Sequence, residues 1–125
     1  MTLVLGGEKM NSILLSTKKM LGIPAEHTQF DPDIIMHINS VFNILQQLGV
    51  GPEEGFSIED DTAVWTDFIN DTNLNAVKTY MYAKVRIIFD PPTSGIVLGA
   101  LQETIKEFEW RLNVQVDPGE DKEDE

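Results

Sequence analysis

The chain has no cysteine. This excludes disulfides and thiolate metal sites and fits an intracellular setting. No apolar run reaches the roughly 18 residues that a membrane span requires. The opening Met1–Gly7 offers Leu3, Val4 and Leu5 with no basic flank, so no signal peptide is expected, and without export the sequon Asn70-Asp71-Thr72 carries no meaning. Positive charge is also missing where negative charge gathers. Glu53 to Asp71 holds seven acids and no base, and Asp117 to Glu125 holds six acids and one lysine. The remaining residues carry eight acids and eight bases, so the net charge of -12 sits in one internal segment and one tail. Such a chain is not expected to grip DNA by neutralising phosphates. It suits a basic protein surface, or a place beside DNA without binding it.

Signatures of catalysis are equally sparse. Gly49, Gly51 and Gly55 miss the dinucleotide pattern by one residue, follow a helix rather than a strand, and stand beside Glu53 and Glu54, which would repel a phosphate. Glu59, Asp60, Asp61 and Asp67 supply hard oxygen atoms but lack calcium-loop spacing. His27 and His37 belong to no ligand motif, and no serine lies in a nucleophile-elbow setting. No catalytic residue, cofactor or metal is expected.

What is present reads as helix. With 125 residues and 42% hydrophobic content there is room for one domain with a real core. Residues 1–9 read as a loose leader, with Met10 as a second start. A first helix is predicted from about Ser12, its cap, to Leu21. Ile13, Met20 and Leu21 fall on one side, Thr17 lies between them, Leu14 stands at the edge, and Gly22 and Pro24 close the helix. The second is the clearest. Asp31 is placed to cap it, Pro32 to open it and Gly49 to stop it, around a stripe of Ile34, Ile35, Ile38, Val41, Phe42, Leu45 and Leu48. The third spans about Leu74 to Phe89, with Leu74, Val77, Met81, Val85 and Ile88 on one face. Tyr80, Tyr82, Ile87 and Phe89 make its other sides apolar, which predicts burial on several sides by its own domain or a neighbour. Asp90-Pro91-Pro92 stops it. The fourth runs from about Ser94 to Asn113 with Val97, Leu101, Ile105, Phe108 and Leu112 inward and Glu107 paired to Arg111.

The expected fold is therefore all-α: a four-helix bundle over residues 10–116, then a disordered acidic tail over 117–125. Residues 49–73 between the second and third helices have no helical period. A connection this long is usually functional or disordered, and its aromatics argue against disorder. It is expected to be an ordered arm. Its alternating stretches, Phe56-Ser57-Ile58 and Val64 to Phe68, leave room for a small β-hairpin. Large aromatics such as Trp65 and Phe68 need burial, either against their own helices or against a partner. The candidate interface is Phe56, Ile58, Trp65 and Phe68 as anchors, with Glu59, Asp60, Asp61 and Asp67 facing basic groups on a partner.

Several phrases carry a resemblance: MLGI, FDPDIIMHINSVFNILQQLGVGPEEGFSIED, WTDF, AVKTYMYAKVRIIFDPP and LQETIKEFEWRLNV. Together they span about Met10 to Val114, and the chain resembles the head-tail connector (adaptor, head-completion) family of phages and prophages of Gram-positive bacteria. The resemblance implies a helical subunit of a homo-oligomeric ring, commonly twelve-fold, docked on the portal protein. DNA would pass through the ring without specific binding, and the far side would serve a tail-side neck protein. It implies assembly in the bacterial cytoplasm and a place in the virion neck, with no membrane. Two rival readings stay open beside it. An acidic DNA-mimic inhibitor or regulatory binding protein would need acids spread along a face rather than gathered in a loop and a tail. A metal-dependent hydrolase would need clustered ligands from several elements.

Overall fold

A computed structural model describes residues 11–116; the predicted leader and acidic tail lie outside the described residues. Among these residues the helices run in the order α1 (Ile13–Leu21), α2 (Asp31–Gln47), α3 (Trp65–Phe68), α4 (Leu74–Phe89) and α5 (Gly95–Val116). The described residues contain no strand. Their extended backbone pairs only in an isolated antiparallel bridge between Ser12 and Val64. The expected hairpin is therefore replaced. Phe56 to Ile58 runs without a partner strand, and Val64 leads into the single turn α3. Trp65 and Phe68, three apart, share one side of that turn and are both buried. A five-residue stretch satisfies this helical spacing as readily as an alternation, and burial decides between them.

Local chemistry explains the helix ends. The Ser12 hydroxyl accepts the Leu15 N–H at 3.2 Å and caps α1. At the end of α2, Gly49 takes a φ of +86°, and Val50 N–H reaches Leu45 O at 2.8 Å while Gly49 N–H reaches Gln46 O at 2.9 Å. These paired bonds satisfy two terminal carbonyls, and a β-carbon at that φ would be strained. Asp31, expected as the cap of α2, lies inside the helix; Phe30 holds the cap position without a side-chain bond. The Asp31 carboxylate turns instead to Lys18, 2.9 Å away.

The core gathers on α2 and α4. Ile34, Ile38, Val41, Phe42 and Leu45 of α2 meet Val77, Tyr80, Met81 and Val85 of α4, all of them buried. α4 packs against α1, α2 and α5, so much of its apolar surface is used within its own domain, with Ile88 left exposed. α5 lies principally against α4, through Ile105 and Leu112 with Leu101 and Phe108 beside them, in place of a closed four-helix bundle. Its first turns carry Ile96 and Val97 into solvent, so Val97 is not the inward residue expected. Met20 and Ile88 are likewise exposed, while Leu14, expected at the edge, is buried.

One buried cation was not foreseen. Lys18 is completely buried, and its ammonium donates to Ala25 O at 3.0 Å and His27 O at 2.7 Å and pairs with Asp31. Two carbonyl oxygens and one opposite charge thus surround the buried ammonium, the condition under which a buried charge is tolerated. The bonds tie the loop after α1 to the start of α2.

Candidate docking surface on the acidic arm

The arm between α2 and α4 is held to the body at a series of points. Gln46 Nε2 donates to Glu53 O at 2.8 Å. Gly51, at a φ of +88°, passes so close to Phe68 that a β-carbon there would run into the ring. Asn39 on α2 then serves as a one-residue strand partner. Its Nδ2 donates to Ile58 O at 3.0 Å, and its Oδ1 accepts the Ile58 N–H at 2.8 Å. Both backbone groups of a buried residue are satisfied without a sheet. Further along, Ser12 Oγ donates to Asp61 O at 2.8 Å, and Ile13 N–H reaches Ala63 O at 3.0 Å, joining the arm to α1.

These tethers face the arm's apolar residues inward. Phe42 of α2 sits at the centre of an aromatic group, 4.6 Å from the Phe68 ring, 5.0 Å from Phe56 and 6.3 Å from Trp65. Trp65 and Phe68 are buried, Ile58 is buried beneath Asn39, and Phe56 is half-buried between the rings of Phe42 and Phe68. Phe56, Ile58, Trp65 and Phe68, expected as anchors for a partner, here pack against the chain's own residues. In the folded chain they hold the arm to its own helices, the other possibility open for such residues. The physical reason is distance in sequence: Ser12, Ser16 and Asn39, which fix the arm's orientation, lie far from the residues they hold.

The acids take the opposite side. Glu59, Asp60 and Asp61 are exposed in succession. They border a shallow depression of about 660 Å³ with Leu14, Asp31 and Ile35 on its other margin. Asp60 accepts from the Thr62 hydroxyl at 2.6 Å and the Thr62 N–H at 2.9 Å. These bonds hold its carboxyl below the usual value, so it remains charged. Asp67 is also exposed but stands apart from this run, where its carboxylate accepts the Val64 N–H at 3.1 Å and caps α3. Of the eight residues singled out from sequence, three acids thus form one surface, a fourth is a local cap, and four apolar residues form the layer beneath. Sequence reasoning missed Asn39 and Lys18. Lys18 was detectable, because Leu14, Lys18 and Leu21 follow the i, i+4, i+7 spacing of a buried stripe.

Charge divides along the chain in the same way. Residues 11–73 carry ten acids against Lys18 and Lys19, whereas residues 74–116 carry four acids and five bases. Among the described residues, no three histidine, aspartate or glutamate side chains are placed to hold a metal ion, and no helix is long and apolar enough to cross a membrane. The result is an acidic ledge backed by a packed aromatic layer on a helical domain.

No curated protein and no solved structure matches the chain. A family model does, over residues 13–119, from the first residue of α1 through the last of α5, and its description is phage connector protein. The match takes in the helices, the arm and the acidic ledge alike, and on that extent the chain belongs to the phage connector protein family.

Proposed function

We propose that the protein is a structural adaptor of the phage neck. It forms one subunit of a homo-oligomeric ring that docks on the portal, completes the DNA-filled head and offers the tail-side neck protein its attachment surface. The observation that carries this reading is the family match over residues 13–119. The net charge of -12 supports it, since a channel through which DNA must slide benefits from walls that do not hold phosphates. The role needs no catalytic step.

In this reading Glu59, Asp60 and Asp61 meet basic groups on the portal or on an adjacent subunit, with Asp67 at the margin. Phe56, Ile58, Trp65 and Phe68 act from behind by keeping the arm in one shape. A pre-formed acidic ledge steers a basic partner into register without the cost of ordering a loop on contact.

Electron microscopy of phage particles carrying a tagged copy of the chain tests the role. The tag is expected at the head-tail junction, and particles lacking the chain are expected to be DNA-filled heads without tails or heads that leak DNA. A tag absent from particles, or infectious tailed particles made without the chain, would overturn it.

A further inference from the structure

The outward side of α5 is unusual for a small domain. Trp110 is 68% exposed and Ile96 86%, and Val114 stands one turn beyond Trp110. At 100° per residue Trp110 and Val114 lie opposite Leu101, Ile105, Phe108 and Leu112, the residues that meet α4. The domain therefore cannot cover this face itself. An exposed indole is the side chain whose burial most often anchors a protein contact.

A receptive surface exists on the other side of the same domain. Ser16, Lys19 and Met20 of α1 and Lys78 and Tyr82 of α4 line a mainly apolar groove of about 260 Å³ with Trp65 at its floor. The flank of α4 that carries Lys78 and Tyr82 is opposite the one whose Tyr80 and Lys84 meet Glu109 of α5. Knob and groove thus point away from each other across α4. Trp110 therefore cannot reach the groove of its own domain.

The groove has the chemistry of an aromatic site. Lys78 Nζ already stands 6.0 Å from the Trp65 ring centre, as an ammonium attracted to an indole face does. Met20 and Tyr82 add a polarisable thioether and another ring around the same space. The face around Trp110 carries Glu103 and Glu107 but also Lys106 and Arg111, and Arg111 pairs with Glu107 at 2.6 Å. Its charge is balanced, so Lys78 beside the groove is complementary to the indole itself rather than to a block of acid.

We infer that Trp110 of one copy inserts into the α1–α4 groove of the next copy, a head-to-tail contact that repeats around the assembly. Such a contact joins two different patches and closes into a ring when the rotation between copies permits. This rests on the ring reading proposed above and assigns it a contact, separate from the acidic ledge.

Because the chain lacks cysteine, thiols can be placed at will. The full chain is made as Met20→Cys, as Val114→Cys and as the double variant, and each is treated with a short bismaleimide. The double variant is expected to give a ladder of linked chains, and the two single variants mixed together are expected to give dimers. Each single variant alone should stay unlinked. Adding Trp110→Ala to the double variant should lower the linked yield about tenfold or more, the loss expected of a central anchor. Raising the salt should change it little, because an indole–ammonium contact within an apolar groove is weakly screened. No ladder, a ladder indifferent to Trp110→Ala, or a single variant that links to itself would overturn the contact. A tagged chain found in the neck without any ladder removes this contact and leaves the neck role; a Trp110-dependent ladder from a chain absent from the neck does the reverse.

Discussion

Trp65 Nε1 donates a hydrogen bond of 2.8 Å to Ser16 Oγ, joining residues 49 apart in sequence. The indole satisfies its one polar atom while its rings lie among buried aromatics. Trp65→Ala is therefore expected to destabilise the isolated domain by about 3–5 kcal/mol, the range for removing a large buried aromatic. Urea unfolding at equilibrium measures this. A variant unfolding at the wild-type midpoint would mean that the arm is not secured by this residue.

Lys18 and Asp31 supply a second test. Replacing Lys18 with Met keeps most of the volume but leaves the Asp31 carboxylate and the carbonyls of Ala25 and His27 without their donor. A loss of about 3–5 kcal/mol is expected, as when one partner of a buried pair is removed. The loop between α1 and α2 should then become a site of limited proteolysis. Protection equal to wild type would separate the ion pair from the order of that loop.

Tyr80 predicts an alkaline response. Burial, followed by the hydrogen bond and negative charge of Glu109, raises its phenol well above the ordinary 10.0. Its contribution to stability is complete below that unfolded-state value and diminishes as pH rises past it, because the unfolded chain ionises first. Stability should fall above about pH 10 in wild type and fall less steeply in Tyr80→Phe, which itself loses about 1 kcal/mol at neutral pH with the bond to Glu109. Identical slopes for the two proteins would contradict this assignment.

The acidic ledge should be separable from the fold. Glu59→Gln, Asp60→Asn and Asp61→Asn combined keep the hydrogen-bonding atoms at exposed positions, so stability should shift by no more than about 0.5 kcal/mol. Tail joining should slow, and the defect should narrow as salt is raised and the wild-type advantage is screened. Joining kinetics unchanged at low salt would exclude the ledge as a steering surface.

How much of this could be read from sequence depended on how locally each feature is encoded. α2 was legible nearly residue by residue, because Ile34, Ile38, Val41, Phe42 and Leu45 repeat at helical spacing between Pro32 and Gly49. The inward stripe of α5 was legible where α4 lies beneath it and failed at Val97, where Ile96 and Val97 extend into solvent. The arm divides differently. Its order followed from its aromatics, but the direction they face did not, since Asn39, Ser12 and Ser16 fix it from 19 to 49 residues away. Asp31 looked like a helix cap because caps are the commonest use of an aspartate before a proline. Its partner Lys18 lies on another helix, so no local pattern encodes the pairing.

The tether between Ser12 and Asp61 also bears on how the chain emerges during translation. Its two ends are separated by 49 residues, and ribosomes add roughly 5–20 residues per second. The start of α1 consequently leaves the ribosome several seconds before its arm exists, with Ile13 and Leu14 lacking much of their final cover. α4, which covers α1 and α2 together, follows later still. The first two helices must wait as a nascent pair, and the domain becomes a cooperative unit only when its C-terminal half has been made.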